Sequence, residues 1–228
     1  SKAIVRAARL MKQIQRAQDF GIETSQPKAD LQKLQIWKKR VVDKVTSGVA
    51  YICKGNHVNL IHGQAKFRAP HQIEIKTKED SSVVTADNVI IATGSRPVEI
   101  PGFKFDGEFV ITTTEALSFP EAPRNFVIIG GGVSGLELGT AYAQFGSHVT
   151  VIEMLDQLLP GIDLELVKVV ERTLRRMGVE THVKARAKWA KDGKVGAQLS
   201  DGKEIEVPAD KVMVVVGRRP NSDQIGLE

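Results

Sequence analysis

Cysteine is almost absent from this sequence. Among 228 residues only Cys53 carries a thiol. A single thiol excludes an internal disulfide framework, a cysteine-based zinc site and a dithiol redox pair within residues 1–228. Aromatic residues make up 5% of the chain, too few to interleave with a basic stripe as nucleic-acid readers require. The net charge of +5 is scattered. Its local clusters, Lys38-Lys39-Arg40 and Arg175-Arg176, fall inside helical patterns and read as solvated helix faces. No apolar run approaches the ~18 residues of a membrane span. The first residues form a basic amphipathic pattern without the apolar core of a secretory leader. His57, His62, His71, His148 and His182 stand singly, and no pair has the helical spacing of metal ligands. These absences set the expectation of a soluble cytoplasmic protein with no nucleic-acid, membrane or metal partner.

The sequence does hold enough apolar residues, 42%, to bury an ordinary globular core of one large or two modest domains. Ile4, Ala7, Ala8, Met11 and Ile14 recur at helical spacing over residues 2–18. A second helical pattern runs over 30–54, through Leu31, Leu34, Trp37, Val41, Val45 and Val49. Together they read as a helical hairpin over residues 2–54. Beyond Gly55 the period changes to two, with short strands expected at 57–67, 71–76 and 82–85 and an apolar strand at 87–92. Residues 97–124 are rich in Pro and Gly and read as a linker. From Asn125 the texture is α/β. Strands are expected at 125–129 and 148–152, and a helix runs from the cap Asp163 to Met177. Asp192-Gly193 and Asp201-Gly202 signal hairpins, and the β-branched run 211–216 reads as a buried central strand.

The most informative stretch is Phe126-Val127-Ile128-Ile129-Gly130-Gly131-Gly132-Val133-Ser134-Gly135-Leu136-Glu137. Gly130, Gly132 and Gly135 satisfy G-x-G-x-x-G between a strand pattern and a helix pattern, and the acid Glu153 ends the next strand. Each part has a physical task. Gly130 permits the tight turn, Gly132 lets a pyrophosphate approach the backbone, and Gly135 lets helix and strand pack closely. The helix N-terminus presents N–H groups and a positive dipole end to phosphates. Glu153 accepts hydrogen bonds from an adenosine ribose and repels a 2′-phosphate. Met154 and Leu155 beside it supply no cation, which favours NAD(H) over NADP(H).

These residues, with Leu158-Leu159-Pro160, Val216-Gly217-Arg218-Arg219-Pro220-Asn221 and Asp87-Asn88-Val89-Ile90-Ile91-Ala92-Thr93-Gly94-Ser95-Arg96-Pro97, resemble the flavin-dependent pyridine nucleotide–disulfide oxidoreductases, in particular their dihydrolipoamide dehydrogenase branch. The resemblance implies an α/β fold: a Rossmann-like NAD-binding domain at 116–228, preceded at 1–115 by a partial FAD domain of helical hairpin and β-meander with a linker. It implies NAD contacts from Gly130, Gly131, Gly132, Val133, Ser134, Gly135, Leu136, Glu137, Glu153, Ala187 and Gly217. It also implies FAD contacts from Lys2, Ala65, Thr93, Gly94 and Ser95, with Glu137 a partner for Lys2 where flavin meets nicotinamide. Ser134 departs from the bulky aliphatic residue usual at its position.

The family's first glycine loop, its cysteine pair and its dimerisation domain with a catalytic histidine have no counterpart in these residues. The chain therefore reads as an internal piece with no catalytic residue of its own. NAD(H) is its expected ligand. FAD belongs to the parent enzyme, which is usually homodimeric, and is not expected to be retained. Another disulfide or mercuric reductase, or a non-catalytic NAD-binding module, are the alternative readings. Arg218 and Arg219 either face solvent or anchor a loop.

Overall fold

Consecutive apolar residues at 126–129 and 212–214, and the run Val149-Thr150-Val151-Ile152 with its single hydroxyl, leave almost no polar face for water, so each must be covered on both sides. A computed structural model, which describes residues 1–227, shows how they are covered. In chain order its elements are α1 (Lys2–Gln15), α2 (Leu31–Gly55), β1 (Gln64–Ala69), β2 (Gln72–Lys76), β3 (Ser81–Thr85), β4 (Ser95–Pro97), β5 (Val110–Ile111), α3 (Thr113–Ala116), β6 (Asn125–Ile129), α4 (Val133–Gln144), β7 (His148–Ile152), α5 (Leu164–Arg176), β8 (Glu180–His182), β9 (Arg186–Lys191), β10 (Lys194–Gln198), β11 (Glu204–Pro208), β12 (Lys211–Val214) and β13 (Arg218–Pro220).

The chain divides into two compact units. One comprises Ser1–Val42 with Pro97–Gly217; the other comprises Asp43–Arg96 with the residues from Arg218 on. The first is built on a parallel sheet of order β5-β12-β6-β7-β8. Strand alternation sorts its side chains into two cores. Phe126, Ile128, Val149, Val151 and Met213 join Leu136, Leu138 and Tyr142 of α4 and Val167 and Leu174 of α5. Val127, Ile129, Ile152, Val212 and Val214 pack instead with Phe103 and with Val195 and Ala197 of the antiparallel meander β9–β11. The result is a layer of helices, a parallel sheet and a second, antiparallel sheet. Strand β12 is buried as its composition requires, but it lies between β5 and β6 and not at the centre.

On the helical side, Tyr142 meets Phe119 and Phe126 edge-on at 5.2 and 5.4 Å between ring centres. Its hydroxyl donates to the Ala116 carbonyl at 2.5 Å, and burial raises the phenol pKa well above its ordinary value. Asp163 caps α5, accepting the Glu165 N–H at 2.9 Å. Asp163→Ala is expected to lower stability by about 1 kcal/mol. Urea unfolding would show this as a lower midpoint with an unchanged slope.

The structure changes several expectations about local organisation. Helices α1 and α2 form, but α1 spends its apolar stripe on α4, where Ile4 and Ala8 cluster with Ala141. The first turns of α2 dock on the end of α3, through Lys38 Nζ on the Leu117 carbonyl (2.5 Å) and Gln35 Nε2 on the Phe119 carbonyl (3.0 Å). The Pro- and Gly-rich stretch 97–124 is not a bare linker. It supplies the edge strand β5, the capped helix α3 and the buried side chains Phe103, Val110, Ile111 and Phe119. It thus belongs to the core of the first unit, and the compact units divide the chain elsewhere than at residues 115 and 116.

In the second unit β1, β2 and β3 form the expected antiparallel meander. The expected strand at 87–92 is absent, and residues 57–63 are not extended into β1. An all-apolar strand needs neighbours on both edges and both faces. None of the described strands pairs with residues 87–92, and Ile90 is 91% exposed.

Candidate functional site

Strand β6 delivers the chain to Gly130. Its φ of +110° lies in the region open to glycine, and a side chain there would meet the Val215 carbonyl oxygen at 2.7 Å. Helix α4 begins three residues later with Gly132 as its N-cap. Gly132 has φ −77°, a value any residue adopts, and a Cβ built on it would touch nothing within 4 Å. Its side therefore faces open space at the end of a helix whose first N–H groups have no intrahelical acceptor. Gly135 is the opposite case. A Cβ there would lie 2.5 Å from the Gly130 carbonyl oxygen and 3.1 Å from Ile128 and Val215 side-chain carbons. The helix thus crosses the strands at a separation only glycine permits. Val133 and Ser134 are exposed beside the loop, while Leu136 is buried in the core.

Glu153 leaves the end of β7 and is 7% exposed. Its Oε2 accepts the Gly131 N–H at 2.6 Å, and its Oε1 accepts the Leu155 N–H at 2.8 Å. Its own N–H donates to the His182 carbonyl and its carbonyl accepts from Ala185. A carboxylate has about four acceptor positions, and these two hydrogen bonds use two of them. The acid is a fixed bridge between the glycine loop and the segment after β7. The sequence expectation for Glu153 is an acceptor for a ribose; this bridging task is not part of it. Leu158 and Leu159 enter the sequence reading only as part of the family resemblance, without a task at the loop: Leu158 is fully buried beside Gly131, and the Leu159 N–H donates to the Gly131 carbonyl at 2.9 Å. The only signal for them was the Leu-Leu-Pro string five residues after the acid.

Of the remaining predicted residues, Lys2 and Glu137 are brought together, Nζ to Oε1, at 3.0 Å. Ala187 lies in β9, two residues past Ala185. Gly217 ends the first unit, and its carbonyl accepts the Val98 N–H. Ala65, Thr93, Gly94 and Ser95 lie in the second unit. Ala65 is exposed on β1 opposite Ile75.

Residues 93–95 are laced to β13 and Asn221. The Thr93 hydroxyl donates to the Asn221 carbonyl at 2.7 Å, the Asn221 amide returns a bond to the Thr93 carbonyl at 3.1 Å, and Arg218 Nε donates to Ser95 Oγ at 2.7 Å. Arg218 is thus an anchor for that turn, whereas Arg219 is largely exposed, with only a long 3.9 Å contact to Asp223. Arg96 binds Asp223, holding its carboxyl below the usual range. Cys53 is a half-buried free thiol. Among the described residues no cluster of His, Cys, Asp or Glu has the makings of a metal site, and no helix is long and apolar enough to cross a membrane.

A glycine turn leaving one parallel strand, a helix opening on it and an acid ending the next strand define a Rossmann-type fold. The whole chain, residues 1–228, matches the pyridine nucleotide-disulphide oxidoreductase family, and it belongs to that family. It is 40% identical over 232 residues to a dihydrolipoyl dehydrogenase of Bacillus subtilis and 38% identical over 231 residues to one of Geobacillus stearothermophilus. In both comparisons all of this chain and 49% of the relative are covered, so the chain spans about half the length of the curated relatives it matches. LpdA from Mycobacterium tuberculosis shares the fold with a TM-score of 0.87 at 24% identity, over 99% of this chain and 50% of that one. RclA, a flavoprotein disulfide reductase from Escherichia coli, superposes with a TM-score of 0.78 at 23% identity, over 98% of this chain and 47% of that one.

Proposed function

We propose that this chain is the NAD(H)-binding portion of a dihydrolipoyl dehydrogenase-like flavoenzyme. Residues 116–228 carry the dinucleotide site, and 97–115 complete its core. The observation that carries the reading is the glycine loop itself: Gly132 is open where a Cβ would fill space, while Gly131 is tied to an acid that keeps two acceptor positions free. A pyrophosphate fits against Gly132 and the first N–H groups of α4, and an adenosine ribose fits against Glu153. Bound NAD⁺ supplies a hydride acceptor. The protein's part is to orient it and to keep water from the transfer path.

The parent reaction is oxidation of a dihydrolipoyl dithiol to the disulfide, with NAD⁺ reduced to NADH through FAD. The Lys2–Glu137 ion pair lies at the end of α4 nearest the loop and is assigned to the flavin–nicotinamide contact. Residues 93–95 and Ala65 are assigned to FAD. Cys53 is single, so dithiol exchange within residues 1–228 is not expected, and the isolated chain is expected to bind nucleotide without turning over. A cytoplasmic setting and a homodimeric parent complete the proposal.

Calorimetric titration of the chain tests this reading. NADH is expected to bind, and NADPH to bind at least about tenfold more weakly. A 2′-phosphate near the Glu153 carboxylate meets a like charge, worth ~1–4 kcal/mol at 4 Å between bulk-water and surface dielectric. Absence of heat with NADH, together with unchanged hydrogen exchange over residues 130–135, would refute it.

A further inference from the structure

Gly131 is held through both of its main-chain groups, which belong to successive peptide units. Its N–H donates to Glu153 Oε2 at 2.6 Å, and its carbonyl accepts the Leu159 N–H at 2.9 Å. Leu158 Cδ2 lies 2.5 Å from where a Gly131 Cβ would stand, and Leu158 is fully buried. Leu159 reaches its place only by adopting φ +51°, in the left-handed region that a leucine seldom enters. Nothing polar in its side chain compensates for that conformation. The side chain instead packs, half-buried, against the helical-side core. The turn is closed behind it by the Ile162 N–H on the Leu159 carbonyl (3.0 Å) and by Gln157 Nε2 on the Ile162 carbonyl (3.0 Å). The Leu155 N–H on Glu153 Oε1 ties the front of the segment to the same acid.

We propose that residues 155–162 are a brace for the phosphate-binding loop and that Leu159 is its positioning residue. A trans peptide is planar, with its carbonyl and the following N–H on opposite sides. Fixing the Gly131 carbonyl toward Leu159 therefore turns the Gly132 N–H away from the brace. Strain at Leu159 persists because the core holds its side chain while its N–H holds the loop. The loop is thus set before a dinucleotide arrives, and binding does not have to order it. This inference rests on the dinucleotide reading above.

Three ligands and two variants test the brace in the chain as it stands. Leu159→Pro removes the N–H and cannot take positive φ. Leu159→Asn keeps the N–H and tolerates the left-handed region. The dissociation constant for ADP-ribose is expected to rise about tenfold in Leu159→Pro, as for a lost hydrogen bond to a buried carbonyl, and to stay within about threefold in Leu159→Asn. Adenosine, which carries no phosphate, is expected to bind both variants as it binds the unsubstituted chain. A purely structural role would weaken adenosine and ADP-ribose alike, and that result, or a folded Leu159→Pro binding ADP-ribose normally, overturns the brace.

If the unsubstituted chain binds neither NADH nor ADP-ribose, the dinucleotide reading is what has failed. The brace is then decided by hydrogen exchange of the ligand-free protein, which also decides it if Leu159→Pro does not fold. Slowing of the Leu159 amide by about a hundredfold or more supports it, and exchange at the unprotected rate overturns it.

Discussion

Gly132→Asp is expected to abolish NADH binding while leaving the fold intact. Gly132 has an ordinary φ of −77° and a Cβ built there has no neighbour within 4 Å. An aspartate is accommodated without strain, and aspartate is also a favoured N-cap, so helix α4 loses nothing by it. The new side chain occupies the open space beside Gly132, where the proposed function puts the pyrophosphate, and it brings a like charge there. Repulsion of a few kcal/mol, added to the lost close approach, predicts a fall in affinity of roughly a hundredfold or more.

Gly135→Ala is the control with the opposite signature. Its Cβ would lie 2.5 Å from the Gly130 carbonyl oxygen, a backbone atom that cannot step aside without moving the turn. Overpacking of this kind costs about 1–3 kcal/mol and should appear as a lowered melting temperature. Calorimetry and thermal melts on the two variants separate the cases. Normal NADH affinity in Gly132→Asp would mean that no phosphate approaches this loop.

Much of this geometry was legible in the sequence because the features that carry it are local. A glycine loop, a strand before it and a helix after it depend on neighbours in the chain, and the alternation within 126–129 and 212–214 is enforced by burial on both faces. The Asp192-Gly193 turn likewise has both residues at positive φ, as a tight hairpin demands. What stayed hidden was set by distant partners. Residues 87–92 have the composition of a buried strand but lack paired neighbours, so composition and structure disagree there. Prolines and glycines in 97–124 signalled a connection, yet Val110 and Ile111 are drawn into the core by pairing with Val212 and Met213 of the distant strand β12. Arg218 was undecided because its partner, Ser95, lies 123 residues upstream. The brace escaped notice for a related reason. Its decisive group is a main-chain N–H in an unusual conformation, and a sequence displays side chains.

Glu153→Ala is expected to reduce both stability and affinity, because the acid holds the loop and, in the function proposed above, also faces the ligand. Removing the carboxylate orphans the buried Gly131 N–H and the part-buried Leu155 N–H. A buried donor left without an acceptor costs about 1–3 kcal/mol, and water can reach Leu155 more easily than Gly131, so the combined loss is about 2–4 kcal/mol. Glu153→Gln retains one acceptor oxygen and should fall between. It can serve Gly131 or Leu155, but its amide nitrogen then faces the other N–H. Urea unfolding measures this series, and an unchanged midpoint for Glu153→Ala would show that the two hydrogen bonds contribute nothing. Titration with both nucleotides reads the second role. In Glu153→Ala the ribose loses its acceptor and the 2′-phosphate loses its opponent, so NADH affinity should drop while the gap between NADH and NADPH narrows toward parity. A stability loss with the nucleotide preference intact would assign Glu153 to the loop alone and move discrimination to another residue. The reverse pattern would make it a ligand group whose hydrogen bonds to Gly131 and Leu155 are incidental.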